Sequence, residues 1–244
     1  MNKLYVVGIG PGDAQGLTGH ARAALEEAQL LCGYTKYIQL VAPLYPDKPV
    51  LSTGMRQEEA RCHAALQAAA EGKTVALVCS GDAGVYGMAG LVYQLSDGYP
   101  AVEIQVVPGV TAALAGSALL GAPLGHDFAV VSLSDLLTPW PVIEARLDAA
   151  ARADFVLCLY NPASKGRRDH LQQACGILLR HKDPGTVCGW TRDIGRTQED
   201  WGLLTLAELR DYEADMFTTV FVGNGETQAL AGRMVTPRGY GLTI

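Results

Sequence analysis

Short apolar runs alternate with helical patterns along nearly the whole chain, and this alternation constrains the fold more than any other feature. Strand-like runs cover 3–8, 74–79, 102–107, 127–132, 154–160, 186–190 and 217–222. Helical spacing covers 18–31, 56–71, 86–96, 110–120, 141–151, 166–181 and 205–212. Strands that alternate with helices build βαβ units, in which parallel strands lie under covering helices. The helix ending near residue 120 is broken by Gly121-Ala122-Pro123-Leu124-Gly125 before a new strand begins. The expected fold is therefore α/β, with two domains of mainly parallel sheet, 1–120 and 121–244, and a ligand cleft between them.

Composition narrows the function classes. With 49% hydrophobic and 18% charged residues among 244, the chain has apolar surface enough for a sizeable core. A net charge of −6 argues against a broad basic face, so no nucleic-acid partner is expected. No apolar run approaches the roughly 20 residues of a membrane-spanning helix, so no membrane partner is expected. The chain opens on a strand-like run rather than a basic stretch followed by an apolar one, and a cytoplasmic location is expected. Its six cysteines form no C-x-x-C pair, and no metal site is expected. Cys79, Cys158 and Cys188 fall in or at the ends of strand-like runs, where cysteine behaves as a small hydrophobe.

Two glycine-rich turns follow strand-like runs, Gly8-Ile9-Gly10-Pro11-Gly12-Asp13 and Ser80-Gly81-Asp82-Ala83-Gly84-Val85-Tyr86-Gly87. Glycine permits positive φ and close approach by a ligand, and strand carboxyl ends are where open α/β sheets bind. Pro11 removes a backbone N–H of the kind a pyrophosphate needs. The run Thr35–Ala42, read as a strand, ends without an acid to hold a ribose, so a dinucleotide fold is disfavoured. Asp82 is a poor neighbour for phosphate but suits ribose hydroxyls or a cation; as a simpler role it caps the helix that follows. A cationic, phosphate-free nucleoside such as S-adenosylmethionine fits both turns. A third strand end, Val107-Pro108-Gly109-Val110-Thr111-Ala112, offers small residues beside them, with Thr111 alternatively a plain helix cap. Thr18 is expected to cap the first helix and Gly33 to stop it.

Taken in order, Val6–Asp13, Ser80–Gly87, Pro108–Ala113, Tyr160-Asn161-Pro162 and Met216–Asn224 resemble the class III S-adenosylmethionine-dependent tetrapyrrole methyltransferases, over essentially the whole chain. Ser132–Trp140, Tyr160–Lys165 and Gly189–Arg196 resemble the branch that methylates a precorrin at C-17 and contracts the macrocycle on the way to cobalamin. Ala83 departs from the proline that many relatives carry after the aspartate. The resemblance implies a homodimer that uses S-adenosylmethionine and releases S-adenosylhomocysteine. It implies that Pro11, Ser80, Gly81, Asp82, Val85, Tyr86, Thr111 and Ala112 line the cofactor from the first domain. From the second it implies Tyr160, Asn161, Gly189, Thr218 and Thr219.

Contraction of such a ring needs a base for a hydroxyl at C-20, followed by bond migration and opening of a lactone. Asp135, His126 and Asp127 are the candidates, each with a simpler role as a helix cap, turn or surface residue. A tetrapyrrole carries many carboxylates, which Lys165, Arg167, Arg168, Arg192 and Arg196 are placed to hold. The alternatives are methylation at another position of the same ring class, a non-catalytic tetrapyrrole carrier and, more distantly, a dinucleotide oxidoreductase.

Overall fold

The computed structural model describes residues 2–164, 166 and 168–240. The chain divides into two compact units, Met1–Ala112 and Ala113–Ile244. Composition and alternation lead to an α/β chain with a sheet in each half; the structure has a five-stranded sheet in each unit and a further three-stranded one in the second.

The first unit runs β1 (Lys3–Gly8), α1 (Gly19–Glu27), β2 (Leu30–Tyr34), α2 (Thr35–Val41), β3 (Val50–Thr53), α3 (Glu58–Ala70), β4 (Thr74–Cys79), α4 (Ala89–Leu95) and β5 (Glu103–Val107). Its sheet has the order β3-β2-β4-β1-β5, and every pairing is parallel. Both faces are buried, as a parallel sheet with crossover helices requires. Leu4, Val6, Val75, Leu77 and Cys79 point to the face covered by α3 and α4. Tyr5, Val7, Ala76 and Val78 point to the face covered by α1 and α2. Leu77 is wholly buried, and truncating such a leucine to alanine costs about 2–5 kcal/mol.

One stretch differs from its sequence reading. Of residues 35–42, expected as a strand, Thr35–Val41 form α2 instead, and the strand lies just before it at Leu30–Tyr34. Ile38 and Val41, three apart, both enter the core on one helix face. Gly33 does not stop a helix but lies within β2, where a Cβ would stand 2.6 Å from the Val78 side chain. Strand β2 ends at Tyr34 and Thr35 follows, so its carboxyl end still carries no acid. Thr18 does cap α1, accepting a hydrogen bond from the Ala21 N–H at 3.0 Å.

The second unit runs α5 (Ala112–Leu120), β6 (Gly121–Ala122), β7 (Phe128–Ser132), α6 (Trp140–Arg152), β8 (Val156–Tyr160), α7 (His170–Leu178), β9 (Val187–Arg192), β10 (Asp200–Thr205), α8 (Leu206–Leu209), β11 (Thr218–Val222), β12 (Gln228–Leu230) and β13 (Arg233–Val235). The main sheet has the order β10-β9-β11-β8-β7. In this sheet β7 and β8 pair in parallel, whereas β8–β11, β11–β9 and β9–β10 are antiparallel; β13 pairs in parallel with β6 in the small separate sheet β12-β13-β6. The parallel pairing expected along the whole chain thus belongs chiefly to the first unit. The connection from β9 to β10 is too short for a crossover helix, so the chain turns back as a hairpin. Helices α6, α7 and α8 cover one face around Leu147, Leu157, Leu159 and Leu178. On the other face α5 packs Ala113 and Leu120 against Cys158, Phe221 and Met234. This packing is why α5 sides with the second unit, placing the division at Ala112/Ala113 rather than at the 120/121 expected from the sequence. All six cysteines are free and buried, three in each unit.

Candidate functional site

The strand order β4-β1-β5 sets the three sequence-identified turns side by side at the carboxyl edge of the first sheet. They are hydrogen-bonded into one piece. Gly10 N–H donates to the Gly81 carbonyl at 3.0 Å, and Gly81 N–H donates back to the Gly10 carbonyl at 2.7 Å. Both residues hold positive φ, +72° at Gly10 and +67° at Gly81, which glycine adopts without strain. A Cβ at Gly8 would stand 2.6 Å from Gly109 N, and one at Gly109 would overlap the Gly81 carbonyl oxygen. Thr18, besides capping α1, donates its hydroxyl to the Pro108 carbonyl at 3.2 Å.

Asp82 completes the connection. Its Oδ1 accepts from Gly84 N–H at 2.8 Å and Val85 N–H at 3.2 Å, and its Oδ2 accepts from Gly109 N–H at 2.9 Å. The carboxylate therefore shapes its own turn and ties it to the turn after β5. Tyr86 lies beyond it, 58% exposed and at φ +52°. That conformation costs a bulky residue on the order of 1–3 kcal/mol and is retained chiefly where a site demands it. Cys79 ends β4 directly below; burial pushes its thiol up to about 12, so it stays neutral and inert. The segments 6–16, 80–89 and 106–113 contain no Lys or Arg but include Asp13 and Asp82. This edge is suited to a cation and unsuited to phosphate.

The second sheet also gathers its polar residues on one edge. The carboxyl ends of β7, β8 and β9 lie beside the amino ends of β11 and β10. Tyr160 accepts from Ala113 N–H through its hydroxyl at 2.7 Å. Asn161, at φ +53°, donates from Nδ2 to Ser132 Oγ at 2.9 Å. Thr218 and Thr219 are buried, and Thr218 donates its hydroxyl to Asp215 Oδ1 at 2.9 Å. Arg192 Nε lies 2.9 Å from Asp215 Oδ2, and Arg196 lies 3.5 Å from Asp193 Oδ1 with its guanidinium over the Phe217 ring.

A family model described as Tetrapyrrole (Corrin/Porphyrin) Methylases matches residues 3–210. The chain belongs to this family. It is 49% identical over 240 residues, 98% of this chain and 100% of the other, to a "Probable cobalt-factor III C(17)-methyltransferase" of Salmonella typhimurium. The solved structure titled "Crystal structure of the methyltransferase CobJ" has a TM-score of 0.89 and 37% identity, covering 96% of this chain and 99% of its own. A uroporphyrin-III C-methyl transferase from Thermus thermophilus, complexed with S-adenyl homocysteine, has a TM-score of 0.71 and 26% identity, covering 91% and 97%.

In this tetrapyrrole methylase the candidate residues fall into distinct groups. Pro11, Ser80, Gly81, Asp82, Val85, Tyr86, Thr111 and Ala112 all belong to the three joined turns. Tyr160, Asn161, Thr218 and Thr219 share the polar edge of the second sheet. Gly189 lies mid-strand opposite Phe221, where a Cβ would stand 2.7 Å from the Leu120 side chain; its smallness serves packing. The three candidate bases are not brought together. His126 and Asp127 precede β7, paired to each other at 3.4 Å, whereas Asp135 follows the strand's other end. Arg192 and Arg196 are compensated by aspartates, Arg168 is exposed before α7, and Lys165 and Arg167 lie outside the described residues. Sequence reasoning misses Ser132, Asp215 and His170. Of these only His170 leaves a signal, a histidine opening a helix after a polar loop, and helical spacing alone places it inside a longer helix.

Proposed function

We propose that this chain transfers a methyl group from S-adenosylmethionine to C-17 of a precorrin-type tetrapyrrole in cobalamin biosynthesis, and that the same turnover contracts the macrocycle. Its full-length identity to a relative named for C(17) methylation carries the reading. The joined turns support it from the chain's own chemistry. They offer small residues, backbone groups and carboxylates, with no Lys or Arg. Pro11, the Ser80–Tyr86 turn, Thr111 and Ala112 are proposed to hold the cofactor, and Tyr160, Asn161, Thr218 and Thr219 are proposed as further cofactor residues.

S-Adenosylmethionine supplies an already activated methyl on a sulfonium, so the protein's contribution is to orient and to exclude water. The rigid turns suit that role, because backbone hydrogen bonds hold them without needing a ligand. Arg192 and Arg196, and Lys165 and Arg168 before α7, are proposed to meet the acceptor's carboxylates. For Arg192 this means exchanging Asp215 for a substrate carboxylate. We further propose that the chain acts in the cytoplasm as a homodimer; among the described residues no helix is long and apolar enough to cross a membrane.

The test is incubation with isotopically labelled S-adenosylmethionine and the tetrapyrrole lactone, metal-free and cobalt-loaded, followed by mass and NMR. A label at C-17 of a contracted ring is expected. A label at another carbon, or an acceptor bound but never methylated, would refute the proposal.

A further inference from the structure

His170 stands at the start of α7 with 12% of its side chain exposed. Its Nδ1 lies 2.7 Å from the Leu133 carbonyl oxygen. A carbonyl only accepts, so Nδ1 carries the hydrogen and Nε2 presents a lone pair in the neutral ring. That Nε2 faces Asp135 Oδ2 at 3.7 Å. A charge-assisted hydrogen bond closes to about 2.7–2.9 Å, so the two side chains draw together once a proton lies between them. Trp140 lies against the imidazole at 4.7 Å between ring centroids. Leu133 is itself fixed, its N–H donating to the Tyr160 carbonyl at 2.8 Å. The imidazole is thus rooted in the β7–β8 ladder, and Asp135, 38% exposed, is the outward member.

We infer that His170 is a positioning residue for Asp135, and that the two together accept the proton released when the ring contracts. The inference rests on the methylation-and-contraction reading above. The ring hydroxyl's O–H bond breaks and its proton passes to Asp135. The electron pair left on oxygen becomes the second bond of a carbonyl as the ring bond migrates. The lactone C–O bond breaks, and its pair leaves on the freed carboxylate. The proton then settles on His170 Nε2, giving an imidazolium held by the Leu133 carbonyl and the Asp135 carboxylate. His126 and Asp127, at the other end of β7, take no part.

The test uses full-length His170→Asn, His170→Gln and Asp135→Asn with S-adenosylmethionine and the tetrapyrrole lactone, following methyl gain by mass and contraction by absorption. Each variant is expected to slow contraction at least tenfold while methyl transfer stays within twofold, so that a methylated, uncontracted ring accumulates. Retained methyl transfer also reports that the variant is folded. In nitrogen NMR of histidine-labelled protein, His170 is expected as the Nδ1–H tautomer, and Asp135→Asn is expected to shift its Nε2 resonance. Methyl transfer and contraction falling together, contraction unchanged, or an unmoved Nε2 resonance would overturn the inference. A wild-type chain that methylates no tetrapyrrole at C-17 would instead remove the functional reading on which it rests.

Discussion

The two sheet edges that carry the candidate residues are built from different materials. In the first unit the edge is backbone: Gly8, Gly10, Gly81 and Gly109 touch main chain to main chain, and Asp82 binds three N–H groups. In the second unit the edge is side chains: Asn161 on Ser132, Tyr160 on Ala113, Arg192 on Asp215, His170 between Leu133 and Asp135. A backbone edge has no slack, because a peptide group cannot move to another rotamer. A side-chain edge can exchange partners, which suits its proposed role of meeting a large carboxylated ring and then releasing it.

The largest effect should come from adding a methyl to each edge. Gly109→Ala drives a Cβ into the Gly81 carbonyl, and it is expected to abolish cofactor binding and to lower stability by about 3 kcal/mol or more. Gly189→Ala meets only the end of the Leu120 side chain, which can turn, and a loss of about 1–2 kcal/mol with cofactor affinity retained is expected. Calorimetric unfolding and binding on the two variants make the comparison; equal losses would break it.

Asp82→Ala comes next. It leaves the N–H groups of Gly84, Val85 and Gly109 without their acceptor, and a cost of about 1–3 kcal/mol is expected. Cofactor affinity should fall about tenfold or more, roughly 1.4 kcal/mol per decade. A variant with normal affinity and reduced stability would make Asp82 purely a fastener of the turns.

Arg192→Ala should do less. Its guanidinium is half exposed and already paired with Asp215, so stability should change by less than about 1 kcal/mol. The Michaelis constant for the tetrapyrrole should rise several-fold, while cofactor affinity holds. An unchanged Michaelis constant would show that Arg192 serves Asp215 alone.

The smallest effect at neutral pH should come from the buried thiols. Burial raises Cys32, Cys79 and Cys175 from 9.0 to about 12. The folded chain keeps these protons while the unfolded chain loses them above pH 9.0, so stability is full below that pH and declines as pH rises toward 12. Denaturant midpoints flat from pH 6 to 8 and falling above 9 are expected. Rapid labelling of any thiol in the native protein would contradict the burial.

The same contrast explains what is legible in the sequence. A backbone edge demands glycine at fixed offsets from strand ends, so the three turns stand out in the residue order itself. Their adjacency does not, because β4-β1-β5 order is a property of the sheet. The side-chain edge leaves few marks: Ser132 and Asn161 are 29 residues apart, and nothing local says that they meet. His126 and Asp135 look equivalent because a strand's two ends are near in sequence but far apart along its axis. The run 35–42 resembles a strand because its β-branched and aromatic residues outweigh the helical spacing of Ile38 and Val41. The antiparallel half of the second sheet stays hidden because apolar runs do not reveal strand direction.

The most direct measurement is isothermal calorimetry of the chain with S-adenosylmethionine and with a nicotinamide dinucleotide. S-Adenosylmethionine as the cofactor requires one molecule bound per chain at about micromolar dissociation constant, near −8 kcal/mol, and no heat from the dinucleotide. A dinucleotide that binds while S-adenosylmethionine does not would contradict it.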